Sequence, residues 1–296
     1  MRIALINSGL GLLAPAAALH RLRPDADLVL APDPDGMPWG PRTPDDIAAR
    51  ALLCARAAVR YQPDVLLMAC NTGSVHALEA MRAEFEPDIP VIGTVPAIKP
   101  AAAVHQKVAI WATVATTESA YQRRLIAEFG GSADVTPVAC PGLADAVDAG
   151  DQAATAAAVA AAAVRTPADC EAIVLGCTEY ELAASQISMA VSGAVMFGSA
   201  EAVAAQALRR VPVTSPADSA PGHSAPDDPA PGRSTCSSAA SGGAAAPGKL
   251  GTVRVVLSGR PAGLPPAALL YPEGRLLAPL VVADDREPIA GSAART

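Results

Sequence analysis

Asp64-Val65-Leu66-Leu67-Met68-Ala69-Cys70-Asn71-Thr72 is a short apolar run that ends in a cysteine and breaks at once into small polar residues. Glu171-Ala172-Ile173-Val174-Leu175-Gly176-Cys177-Thr178-Glu179 does the same further along the chain. Runs that are apolar at every position mark strands buried on both faces of a parallel sheet. In such sheets, functional groups gather past the carboxyl ends of the strands, where the next helix begins. Each run therefore sets one thiol at a strand end, and the match between them points to a duplicated unit.

Two further pairs support the duplication. Arg2-Ile3-Ala4-Leu5-Ile6-Asn7-Ser8 aligns with Lys107-Val108-Ala109-Ile110-Trp111-Ala112-Thr113, and Ala26-Asp27-Leu28-Val29-Leu30 with Ala133-Asp134-Val135-Thr136-Pro137. Their offsets nearly equal that between the two cysteines, so three strand-like segments recur in one order. Helix-like stretches alternate with them at 44–60, 73–85, 118–129, 152–164 and 200–210, as a sheet covered on both faces requires. The expected fold is α/β: two similar parallel-sheet domains with a cleft between them. Residues 1–95, about 196–211 and 249–285 form the first domain, and 96–195 the second. The strand at 91–94 runs into a crossing between the halves, and 194–197 is read as the return crossing. Residues 212–248 are rich in Pro, Ala and Ser with almost no large apolar side chain, a composition that predicts a disordered insert. Residues 286–296 read as a flexible tail.

The composition narrows the function. At 296 residues the chain is long enough for two domains. Its net charge of −7 and the absence of a Lys/Arg cluster argue against nucleic acid as a partner. Six cysteines at irregular spacing, without CxxC, and only four histidines fit neither a disulfide framework nor a metal site. The chain opens on a strand-like segment rather than a secretory signal, and no apolar stretch approaches a membrane span. The expected compartment is the cytoplasm, where thiols stay reduced.

The two thiols carry the chemistry. A cysteine at a helix N-terminus has its pKa lowered by backbone N–H groups and the helix dipole. Cys70 precedes one helix-like stretch, and Cys177 precedes the segment from Tyr180. Two thiols facing one carbon can remove a proton from one face and return it to the other, one acting as base and one as acid. Asn7 and Ser8 end the first strand, while Asn71, Thr72 and Thr178 follow the thiols. Taken singly these polar residues read as helix caps, and taken together as donors for a small carboxylate. Cys54 and Cys170 read as structural, Cys140 as scaffold near the site, and Cys236 falls in the insert. His76 reads as an ordinary helix residue.

Specific motifs give a family resemblance over residues 1–211 and again at Val255-Val256-Leu257-Ser258-Gly259. They are Asn7-Ser8-Gly9-Leu10-Gly11-Leu12, Met37-Pro38-Trp39-Gly40, Ala69-Cys70-Asn71-Thr72, Ala112-Thr113-Val114-Ala115-Thr116, Ala139-Cys140-Pro141 and Gly176-Cys177-Thr178-Glu179-Tyr180. In these the chain resembles the aspartate/glutamate racemase superfamily, and within it the glutamate racemases. The resemblance implies Cys70 and Cys177 as paired acid and base. Asn7, Ser8, Trp39, Gly40, Asn71, Thr72, Thr178 and Glu179 would surround an amino acid, with Thr113, Thr116 and Asp148 as auxiliary positions. It also implies no cofactor, a homodimer, and D-glutamate supplied to peptidoglycan. Glutamate racemases usually carry Asp at Asn7, Tyr at Trp39, His at Glu179 and Glu at Asp148. Aspartate racemases do carry Glu after Gly-Cys-Thr. The departures leave open a racemase of aspartate or another amino acid, and a silent relative that binds a small acid.

Overall fold

The computed structural model describes residues 1–211 and 249–283. The disorder expected at 212–248, the tail at 286–296 and Cys236 lie outside the described residues. Among the described residues ten strands are formed: β1 (Arg2–Asn7), β2 (Asp27–Pro32), β3 (Val65–Met68), β4 (Val91–Gly93), β5 (Lys107–Ala112), β6 (Asp134–Ala139), β7 (Ala172–Leu175), β8 (Val195–Phe197), β9 (Val253–Leu257) and β10 (Arg260–Ala262).

They make two sheets, ordered β10-β9-β2-β1-β3-β4 and β6-β5-β7-β8. The order β2-β1-β3-β4 thus recurs as β6-β5-β7-β8. All pairings are parallel except β9 with β10. In β1, Ile3 is in register with Leu28 and Val65, and in β5, Val108 is in register with Val135 and Ala172. The fourth strand completes the repeat. Residues 195–197, read from sequence as a crossing, form edge strand β8, with Met196 opposite Ile173. Three residues at a sheet edge are too few to show a periodicity.

Side-chain alternation along the central strands explains how the sheets meet. Ile3 and Leu5 of β1, Ala109 and Trp111 of β5, and Ile173 and Leu175 of β7 belong to one core that runs through both sheets. Helices Leu13–Leu22 and Ala200–Arg210 fill it with residues such as Leu13, Ala16, Leu19, Val203, Ala204 and Ala207. The alternate residues face outward into separate layers. Ala4, Ile6, Leu66 and Met68 meet helix Pro44–Val59, while Val108, Ile110, Ala172 and Val174 meet Ile98 and Leu125. Both sheets therefore turn one face to the same apolar layer.

The helices differ in detail from their sequence reading. The stretch expected at 73–85 begins earlier and divides at Ala77 (φ −118°) into Asn71–His76 and Leu78–Phe85. That expected at 118–129 forms the single helix Ala120–Phe129, capped by the Ser119 hydroxyl accepting from Gln122 N–H, and a separate short helix, Val114–Thr117, precedes it. After Cys177 the chain forms a 3-10 helix, Thr178–Ala183. No described helix is long and apolar enough to cross a membrane.

Candidate active site

β3 and β7 hold equivalent places in the two sheets, so Cys70 and Cys177 emerge at equivalent ends. They line one cleft of about 480 Å³, within the range of small-molecule sites. The first sheet's loops contribute Ser8, Met37, Trp39, Gly40, Cys70 and Thr72. The second contributes Thr113, Cys140, Asp148, Cys177 and Glu179, with Glu118 and Asp145.

Cys70 is 5% exposed. It caps helix Asn71–His76, its Sγ accepting from Gly73 N–H at 3.4 Å, and the Ser8 hydroxyl lies 3.9 Å from the same sulfur. Cys177 is partly exposed and donates to Glu179 Oε2 at 2.8 Å. The thiolate-favouring effect expected of a helix N-terminus does not prevail at either residue. Burial pushes Cys70 up to about 12, the Glu179 charge adds to the rise, and the Gly73 N–H offsets only part of it. Burial also raises Cys177 well above the usual thiol range, followed by the charge of Glu179 and the hydrogen bond to it. The 3-10 turn after Cys177 makes no side-chain cap hydrogen bond to the residue. Desolvation of a thiolate outweighs the partial charge of a short helix end.

Beneath the thiols runs a buried polar network that ties the two halves together. Asn7 Nδ2 donates to the Ala69 carbonyl at 2.6 Å and to Thr178 Oγ1 at 3.2 Å. Asn7 Oδ1 accepts from the Ser8 hydroxyl and from Gly9 N–H. Asn71 Nδ2 donates to the Gly176 carbonyl at 2.7 Å, and the Thr178 hydroxyl donates to Glu179 Oε2 at 3.3 Å. Gly11 makes this approach possible. A Cβ there would sit 2.4 Å from Thr178 Oγ1 and 2.6 Å from Glu179 Oε1. On the far side Asp148 Oδ1 accepts from Leu10 N–H at 2.6 Å. Burial, then the charge of Glu179, raises Asp148 well above the ordinary carboxylate range.

Several residues expected around the substrate are set back from the cleft. Asn7 and Thr178 lie in the network rather than on the lining. Asn71 and Thr116 line an adjoining pocket of about 280 Å³ with His76. Thr113 does line the cleft, and its hydroxyl both caps Thr116 N–H and donates to Thr116 Oγ1.

Sequence reading missed Asp33, which is fully buried just after β2. Its carboxylate accepts from Trp39 Nε1 at 3.0 Å, Arg50 Nη1 at 3.1 Å and the Ser258 hydroxyl at 2.7 Å. Its place at a strand end was the available signal, the same one that singled out Cys70. Asp145 was also missed, although it sits three residues before Asp148 on helix Leu143–Ala149, a spacing that shares a face. Cys140 directly follows β6 and lines the cleft as a buried thiol raised by its burial to about 12. Among the described residues no group of three or more His, Cys, Asp or Glu side chains is placed to hold a metal ion.

A pair of like parallel α/β sheets, with a thiol from each on a common cleft, defines the class of fold. The chain belongs to the Asp/Glu/hydantoin racemase family, whose model matches residues 12–207. It is 32% identical to a glutamate racemase of Herpetosiphon aurantiacus over 213 residues, covering 70% of this chain and 83% of the relative. It is 34% identical to a glutamate racemase of Sphingopyxis alaskensis over 213 residues, covering 68% and 79%. Among solved structures, Escherichia coli glutamate racemase, crystallised with L-glutamate and the activator UDP-MurNAc-Ala, superposes with a TM-score of 0.66. The identity there is 27%, over 73% of this chain and 86% of that one. The chain is thus an isomerase of the racemase type.

Proposed function

We propose that this protein racemises an α-amino acid without a cofactor, using Cys70 and Cys177 as the two acid–base groups, with glutamate as substrate. The observation that carries the reading is the placement of the two thiols at equivalent strand ends on one cleft. One thiolate takes the α-proton from one face of the substrate. The other thiol then gives its proton to the opposite face of the resulting carbanion, and the roles reverse for the other enantiomer.

Glu179 bears on which thiol starts. Its Oε2 lies 2.8 Å from Cys177 Sγ, so the carboxylate can accept that proton and leave Cys177 as base. Cys70, on the other side of the cleft, is then the acid. Glutamate is the substrate named in the relatives, which supports it here. D-glutamate made in this way would feed peptidoglycan synthesis in the cytoplasm, and the enzyme would work as a homodimer.

The test is proton NMR in D₂O. L-glutamate should lose its α-proton signal, and Cys70→Ser and Cys177→Ser should each slow that loss by about 10²–10⁴-fold, the usual worth of a positioned acid or base. Exchange that persists in the double variant would rule the two-thiol mechanism out.

A further inference from the structure

Among the described residues, every ionisable side chain lining the cleft, apart from thiols, is a carboxylate: Glu118, Asp145, Asp148 and Glu179. No Lys, Arg or His lines it, and none of the four carboxylates joins a salt bridge among the described residues. The four fall into two groups. Asp148 and Glu179 lie inward, Asp148 against Leu10 N–H and Glu179 against Cys177. Glu179 is 3% exposed, and its Oε1 has no hydrogen-bond donor. Glu118 and Asp145 are exposed and come from different segments, one following helix Val114–Thr117 and the other within helix Leu143–Ala149. The remaining lining includes apolar surface from Met37, Trp39 and Val114.

Glu118, Asp145 and Glu179, with no cation beside them, focus negative potential into a cleft with low-dielectric walls. The distal carboxylate of a glutamate would enter that potential without meeting a cationic side chain. A side chain with an aliphatic stem and a terminal ammonium fits better, stem against the apolar wall and cation towards the carboxylates. Size does not separate the two cases, because glutamate and lysine have the same number of non-hydrogen atoms. Charge does.

We propose that the cleft accepts a second substrate class beside glutamate: α-amino acids whose side chain ends in a cation, such as lysine and ornithine. Glu118 and Asp145 select that end. The proposal rests on the racemase reading above and adds to it the charge preference of the side-chain end. The reaction is unchanged: the α-proton leaves to one thiolate and a proton returns from the other thiol.

The experiment compares α-proton loss from L-glutamate, L-lysine and L-ornithine in D₂O, for the wild type and for E118Q/D145N. The wild type should exchange lysine and ornithine as well as glutamate. In the double variant the lysine-to-glutamate rate ratio should fall by about tenfold, with glutamate exchange rising. A second reading needs no variant. Because both selecting carboxylates are exposed, added salt should lower the same ratio in the wild type by screening them. Exchange of glutamate alone, or a ratio that neither the variant nor salt alters, overturns the proposal and leaves the racemase standing. Exchange of none of the three overturns both.

Discussion

At Cys177 a carboxylate accepts a hydrogen bond from the thiol at 2.8 Å, where a cationic neighbour would have favoured the thiolate. Glu179 thus has two opposed effects. Its charge holds the proton on both sulfurs, since it contributes to the raised pKa of Cys70 as well as that of Cys177. Its oxygen is also the acceptor through which the Cys177 proton can leave. Glu179→Gln separates these effects. With the charge gone, both thiols should titrate at lower pH, because the like-charge repulsion is removed while the amide can still hydrogen-bond the sulfur. The pH dependence of alkylation at Cys70, measured in a Cys177→Ser background, should shift to lower pH. Turnover should nonetheless drop, by about tenfold or more, because the proton acceptor is lost. An alkylation profile that stays in place, or moves up, would show that burial alone sets the thiol. The like charge of Glu179 beside Cys177, and its upward push on that thiol, are legible in the sequence; the burial that decides the sign of the balance at both sulfurs is not. That sign depends on how much water each sulfur loses, a property of tertiary packing rather than of the residues on either side.

At the scale of elements, the cleft wall is held from a distance. Trp39 is 1% exposed, and its indole N–H is fixed by Asp33, which is itself held by Arg50 of helix Pro44–Val59 and by Ser258 in the turn after β9. Ser258 occupies the left-handed region (φ 44°) and Gly259 follows at φ 83°. The Ser258 hydroxyl both donates to Asp33 Oδ1 and accepts from Asp35 N–H at 3.0 Å. Chain from beyond the long Pro/Ala/Ser-rich stretch therefore supports a residue near the start of the molecule. Ser258→Ala removes one donor from a buried carboxylate, at a cost of about 1–3 kcal/mol. It should also loosen Trp39, seen as a red shift of tryptophan emission in a Trp111→Phe background and a several-fold rise in KM. Loss of stability without either change would mean that Ser258 serves only its own turn. The strands of this framework were legible because each is a run buried on both faces. The split at Ala77 and the separate short helix Val114–Thr117 were not, since they arise from how the helices pack and cap after the strands are in place. Asp33 was missed because its partners lie 6, 17 and 225 positions away.

For the whole molecule, the duplication readable in three strand pairs extends to a fourth, and the two sheets close on one another through a single apolar layer. That layer is rich in alanine, so the larger side chains within it account for much of the apolar area it buries. Trp111 is fully buried there, and its Nε1 donates to Thr166 Oγ1 at 2.9 Å. Although it belongs to the second sheet, it shares its core with Ile3 and Leu5 of the first. Truncating such a residue costs about 3–5 kcal/mol, from lost transfer energy and the cavity left behind. If the shared layer makes the two halves one cooperative unit, that loss is felt on both sides. Hydrogen exchange of Trp111→Ala should then show β3 and β7 losing protection together and by similar amounts, in one unfolding transition at lower temperature. Protection lost from β7 while β3 keeps its own would show halves that unfold separately. In that case the cleft would owe its shape to the polar network from Asn7 to Thr178 and from Asn71 to Gly176 rather than to the core beneath it.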